Sequence, residues 1–215
     1  LSTLRAPDLL VDGPEGARRT LVLAHGAGQG MDSAFMQTMA GLIAQGGVQV
    51  VRFEFPYMAE RRRTGVKRPP DREAALLDAW LQVLQRMEAA GTPRSAIAIG
   101  GKSLGGRMAS LLVDEQHLAA LVCLGYPFHP PGRPDRRRTA HLEGLRTPTL
   151  ICQGARDPFG RPAEVEGYRL SPAVRIQWID DGDHSFRPRK ASGLSEEQNL
   201  STAARAVLTF LSGLG

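Results

Sequence analysis

A serine flanked by glycines, Gly101-Lys102-Ser103-Leu104-Gly105, stands where a run of small and β-branched residues (96–100) meets a stretch patterned as a helix (105–115). Two chemistries use such a turn. A phosphate-binding loop needs G-x-x-x-x-G-K-[S/T], whose first glycine would fall at position 96, and that residue is Ala96. Residues 96–100 also read as a buried strand, whereas a phosphate cradle needs a loop whose N–H groups turn inward. The second chemistry is nucleophilic. In G-x-S-x-G, a strand, a strained turn and a helix expose a serine hydroxyl, and the flanking glycines let neighbouring backbone approach. A serine that merely caps a helix has the same local pattern, so the assignment depends on partners elsewhere.

A serine nucleophile on such a turn takes its proton acceptor and orienting acid from later in the chain, in the order Ser, Asp or Glu, His. Of the five histidines, His25, His117, His129, His141 and His184, only His184 follows the last expected strand, in Asp180-Asp181-Gly182-Asp183-His184. Asp157, in the Gly/Pro turn Gly154-Ala155-Arg156-Asp157-Pro158 after an expected strand, is the preferred acid. Asp180, Asp181 and Asp183 are rivals, but they share the histidine's own loop. For the oxyanion, the glycine-rich segment His25-Gly26-Ala27-Gly28-Gln29-Gly30 follows the first strong strand. The backbone N–H groups of Ala27 and Leu104 are the expected donors, with His25 bracing the loop. A dinucleotide reading is discounted because G-x-G-x-x-G is absent.

These groups need a scaffold that brings strand ends together. Apolar β-branched runs at 20–25, 48–55, 96–100, 119–125, 149–153 and 174–179 alternate with amphipathic stretches at 31–45, 71–90, 105–115 and 196–211. That alternation predicts an α/β fold with a mostly parallel sheet flanked by helices, plus a short strand near 9–11. No linker or repeat divides the chain, so residues 1–215 are expected to form one domain.

Composition narrows the class. The 42% hydrophobic and 23% charged content is that of an ordinary globular protein, and no apolar run approaches the roughly 18 residues of a membrane span. Residues 1–13 show no secretory h-region. Cys123 and Cys152 lie in strand-like runs with no C-x-x-C partner, the pattern of buried reduced thiols in a cytoplasmic protein. No metal ligand spacing is present, and the serine chemistry needs no cofactor.

Two segments stand out, 56–72 and 126–146, both long, Pro-rich and Arg-rich and both read as loops leaving strand ends. Together with residues 185–190 they carry about +10, against +5 for the whole chain. Arg61, Arg62, Arg63, Arg68 and Tyr57 are therefore candidate substrate-binding residues, and carboxylate or phosphate groups on the substrate are expected. Nucleic acid is disfavoured because only Tyr57, Tyr126 and Phe128 offer stacking faces near these loops.

Taken in order, HGAG, FEFPYM with the following RRR and RPPD, GGKSLGGR, the QG-x-x-DPFG turn and DGDHSF resemble a family of small bacterial α/β-hydrolase-like proteins. That family is related to dienelactone hydrolases and to the hydrolase-like domain of a histone acetyltransferase complex subunit. The resemblance runs from Leu21 onward. It implies an eight-strand-type sheet shortened at its N-terminal edge, with Ser103, Asp157 and His184 as a triad. Separately, the roughly two dozen residues between the runs 119–125 and 149–153 leave no room for a large lid domain. Dienelactone hydrolases have cysteine at the position of Ser103, so their reaction does not transfer. The expected function is hydrolysis of esters or thioesters of small soluble acyl substrates. The alternative is a catalytically silent interaction module that binds an acidic partner through its basic loops.

Overall fold

Successive residues of a strand face opposite sides of the sheet, and in the central strands here both sides are apolar, so helices must cover both. The computed structural model describes residues 8–214; residues 1–7, part of the 1–13 segment expected to lack a secretory h-region, lie outside the described residues. Strands β1 (Leu9–Asp12), β2 (Thr20–Ala24), β3 (Gln49–Phe53), β4 (Ile97–Lys102), β5 (Ala120–Leu124), β6 (Thr149–Gly154) and β7 (Val174–Ile179) form one sheet in the order β1-β3-β2-β4-β5-β6-β7. Only β1 is antiparallel, pairing with β3 from Leu9 opposite Phe53 to Asp12 opposite Val50. The sheet is thus seven-stranded, with the short antiparallel strand closing its N-terminal edge.

Leu21, Leu23 and Val50 pack with α1 (Ala34–Gln45) and α6 (Glu196–Ser212) on one face. Val22, Ala24, Val51 and Phe53 pack with α3 (Glu73–Ala89) and α4 (Leu104–Leu112) on the other. The long helix expected over 71–90 exists because Leu76, Trp80, Leu84 and Met87 recur at three- and four-residue spacing, and all four are buried. A short α5 (Pro162–Val165) precedes β7. Among the described residues no helix is long and apolar enough to cross a membrane.

One expectation is corrected. Part of the segment read as a loop over 56–72 is helix α2 (Pro56–Thr64). Its apolar content is only Tyr57 and Met58 on the buried side, too little to give a helical period. Its end signals are good, however: Pro56 at the first helical position, three arginines in the last turn, and Gly65 in the left-handed conformation just beyond. The second Arg-rich segment remains irregular apart from a single turn at Ala140–Glu143, so no lid domain is inserted between β5 and β6.

Parallel strands leave their carboxyl ends on one edge, and a crevice forms where the strand order changes direction. Here β2 lies between β3 and β4, with Ala24 opposite Gly101 at the carboxyl ends. That edge receives the segments carrying Ala27, Ser103, Asp157 and His184.

Candidate active site

Ser103 takes φ 49° and ψ −108°, a conformation a non-glycine residue adopts at a cost. Its N–H donates to Leu124 O at 3.1 Å and its carbonyl accepts from Arg107 N at 3.0 Å, so the strained turn is held by β5 on one side and α4 on the other. A Cβ on Gly101 or on Gly105 would collide with the carbonyl oxygen of Ala24. Glycine is required at both positions because β2 passes so close. β4 runs through to Lys102, fully buried along its length, which removes any room for a phosphate-binding loop.

The expected acid and histidine are brought together. His184 Nδ1 lies 2.7 Å from Asp157 Oδ2, and Asp157 is completely buried. Asp157 Oδ2 also accepts from Gln153 Nε2 at 2.9 Å and its Oδ1 from the Phe159 N–H at 2.9 Å. Two of the three rival acids are engaged elsewhere. Asp181 pairs with Arg156 and Arg189, while Asp183 Oδ1 accepts from the N–H groups of Ser185 and Arg187 and so shapes the histidine's turn. With Nδ1–H donated to the carboxylate, Nε2 carries the lone pair. Burial holds His184 below the ordinary imidazole value, opposed by the bond to Asp157 and reinforced by the charge of Lys102. The ring packs against Phe159 at 4.5 Å between centroids.

Ser103, His184, Ala27, Lys102, Phe159 and Phe35 line one cavity of about 280 Å³. Ser103 Oγ makes no hydrogen bond to His184 Nε2, a contact that commonly tightens only around substrate. Leu104 begins α4, so its N–H has no carbonyl one turn back in the helix. No group of three or more metal-ligating side chains converges among the described residues.

A family model described as alpha/beta hydrolase domain matches residues 17–212. The chain belongs to the α/β-hydrolase family. Solved structures with the same fold include an α/β serine hydrolase homologue from Coxiella burnetii, at TM-score 0.69 and 20% identity, covering 93% of this chain and 90% of that one. A lidless α/β serine hydrolase from Xanthomonas campestris matches at TM-score 0.66 and 19% identity, over 94% and 89%. Dienelactone hydrolase from Anabaena variabilis matches at TM-score 0.70 and 19% identity, over 97% and 99%.

In this hydrolase domain the residues expected to bind substrate separate into groups. Tyr57 is only 1% exposed, and its hydroxyl is spent on the carbonyls of Ala27 (3.0 Å) and Gly26 (3.3 Å). It braces the glycine-rich loop from beneath instead of meeting substrate. Arg62 forms ion pairs with Glu54 and Asp32, Arg63 with Glu60, and Arg68 with Asp71. Three of the four expected arginines are therefore paired with nearby acids, and Arg63 and Arg68 line neither the Ser103–His184 cavity nor its neighbour. Arg61 differs. Its Nη1 donates to Gly28 O at 3.1 Å, and no carboxylate faces it within ion-pair distance among the described residues.

Arg61, Arg62 and Arg187 line a second cavity of about 500 Å³ that shares Gly28, Gln29 and Phe35 with the first. His25 accepts the Phe55 N–H at Nε2 (3.1 Å), which leaves Nδ1–H to donate to Gly26 O at 2.7 Å. Burial keeps this histidine neutral by lowering its pKa. Two contributors were not foreseen. Gln153, a polar residue in a fully buried strand, orients Asp157, and its polarity in an apolar run was the available signal. Lys102 is the other.

Proposed function

We propose that the chain is a serine hydrolase that cleaves ester or thioester bonds of small acyl substrates through Ser103, His184 and Asp157. The observation that carries this reading is the 2.7 Å bond from His184 Nδ1 to the buried Asp157, with the imidazole and Ser103 lining one cavity. Ser103 Oγ attacks the acyl carbonyl as His184 Nε2 takes its proton, and Asp157 holds the tautomer and stabilises the imidazolium. The N–H groups of Ala27 and Leu104 receive the oxyanion, each such donor lowering the barrier by about 3 kcal/mol. The leaving group departs with the proton from His184, and water repeats the sequence to release the acid. No metal or organic cofactor enters these steps, and neither nucleic acid nor a membrane is a partner in them. The free, buried Cys123 and Cys152 support residence in a reducing compartment such as the cytoplasm.

An anionic group on the substrate is favoured at Arg61, the guanidinium of the second cavity that no carboxylate pairs with among the described residues. Aryl acetate and aryl hemisuccinate esters compared at low and high salt test this. The anionic ester should lose rate with salt and with Arg61→Gln while the neutral ester does not, and equal responses would remove the preference. For the activity itself, a fluorophosphonate probe should label the wild type and fail on Ser103→Ala and His184→Ala. An unlabelled wild type would favour the silent interaction module, and labelling that survives Ser103→Ala would mean another nucleophile.

A further inference from the structure

A buried ammonium normally faces a carboxylate, because removing it from water is costly. Lys102, the residue immediately before Ser103, is only 8% exposed, yet no carboxylate lies within ion-pair distance of it among the described residues. Its Nζ donates instead to the backbone carbonyl of His184 and lies 5.4 Å from the centroid of the Phe35 ring on α1. Its stem passes under the glycine-rich loop, where a Cβ on Gly26 would stand 3.4 Å from Lys102 Cγ. At the end of β5, Gly125 (φ 71°) leaves the space this contact occupies. A Cβ there would come within 2.9 Å of Lys102 Nζ and 2.8 Å of His184 O. One side chain therefore touches the segments that carry the nucleophile, an oxyanion donor and the histidine.

We propose that Lys102 is a positioning residue whose ammonium ties the His184 carbonyl to the nucleophile strand and so fixes the imidazole opposite Ser103. A purely structural filler of this volume would be apolar, since a methionine fits the same channel without the cost of burying charge. The charge has an electrostatic consequence as well. The charged and titratable groups around Lys102 are Asp157 on the segment after β6 and Asp183 and His184 on the segment after β7; α1 contributes only the Phe35 ring. Burial brings the ammonium down to about 8 against the pull of the two carboxylates, so it is mostly protonated at neutral pH. In that form it opposes protonation of His184.

The inference rests on the triad reading, and two measurements separate their failures. The pH dependence of kcat/KM on p-nitrophenyl acetate is compared for wild type, Lys102→Met and Lys102→Gln, and the His184 imidazole is titrated by NMR in each. Both variants should fold, lose roughly 10-fold or more in kcat with KM within about threefold, and show the acid limb and the imidazole titration displaced upward by roughly half to one pH unit. Lys102→Gln, which retains a donor without the charge, should keep more kcat than Lys102→Met. Folded variants with wild-type kcat and an unmoved imidazole titration would overturn the inference. A wild type that neither turns over nor takes the fluorophosphonate would overturn the triad instead, and the NMR titration would still decide whether Lys102 acts on His184.

Discussion

The hydroxyl of Tyr57 lies 3.0 Å from the carbonyl oxygen of Ala27, and it reaches that of Gly26 at 3.3 Å, from below the loop that lines the cavity shared by Ser103 and His184. His25 holds the Gly26 carbonyl at 2.7 Å and Arg61 holds that of Gly28 at 3.1 Å. A planar trans peptide points its N–H opposite its C=O. Three consecutive carbonyls tied down on one side therefore direct the N–H groups of Ala27, Gly28 and Gln29 to the other. On the proposed mechanism, the side chains around the loop therefore aim the Ala27 donor.

Tyr57→Phe removes that hydroxyl and leaves the ring packing intact. The expected outcome is a fall in kcat of about 10-fold with KM nearly unchanged, because a misaimed donor is lost mainly in the transition state. Steady-state kinetics on a small neutral ester give the split. A raised KM at constant kcat would return Tyr57 to the role of a substrate contact.

Ser103 should be a site where stability and activity oppose each other. Its φ of 49° and ψ of −108° cost a non-glycine residue about 1–3 kcal/mol, which Ser103→Gly relieves, less about 0.5–1 kcal/mol for added freedom in the unfolded chain. Both Ser103→Gly and Ser103→Ala should be inactive, but only the glycine variant should melt higher than the wild type, by roughly 2–4 °C. Calorimetry on the pair decides it. Equal melting temperatures would mean that the turn stores no strain.

What could be read from the sequence and what could not divide along physical lines. Strand ends were legible because apolar runs stop abruptly, near His25 and at Ile179, although the run read over 96–100 falls two residues short of the end of β4 at Lys102, where Gly101 and Lys102 carry no strand signal; parallel topology then puts those ends on one edge. Ser103, Asp157 and His184 followed from that edge and from chain order. Helix α2 escaped because its stability comes from its ends and from Tyr57 and Met58 alone, not from an apolar stripe. The pairing of Arg62 with Glu54 escaped for another reason: Glu54 is buried beside a strand end, and counting charges along a segment cannot see an acid delivered from a different element.

The pH profile follows from the state of His184. Burial holds its imidazole below the ordinary 6.5, so the proton-accepting form persists into mildly acidic solution. kcat/KM should therefore be flat near neutrality and fall only below pH 6.5, as protonation removes the Nε2 lone pair. Asp157→Asn removes the bond that raises the imidazole's affinity for protons, so its acid limb should lie no higher than the wild type's. The same variant should lose about 10⁴-fold in kcat, because the amide favours the wrong tautomer. An acid limb above pH 6.5 in the wild type would contradict the burial of the ring.

Lys102 links pH to stability with a definite sign. Burial brings its ammonium to about 8 in the folded chain against an ordinary 10.5 in the unfolded one. Below pH 8 both states bind the proton and the cost of burying the charge is fully felt. Between pH 8 and 10.5 the unfolded chain holds more protons than the folded one, so this residue makes stability rise with pH, and above 10.5 the cost is gone. The full effect is about 3 kcal/mol. Other groups titrate in the same range, so the measurement is a difference. The melting temperature of Lys102→Met relative to wild type should be highest below pH 8 and should decline steadily toward pH 10.5. At low pH the variant gains by relief of the buried charge and loses about 1–3 kcal/mol for the His184 carbonyl left without its donor, so the absolute offset is small while its slope is not. A difference that stays constant across this range would show that the Lys102 ammonium is hydrated in the native protein, and that its bond to His184 is made at no electrostatic cost.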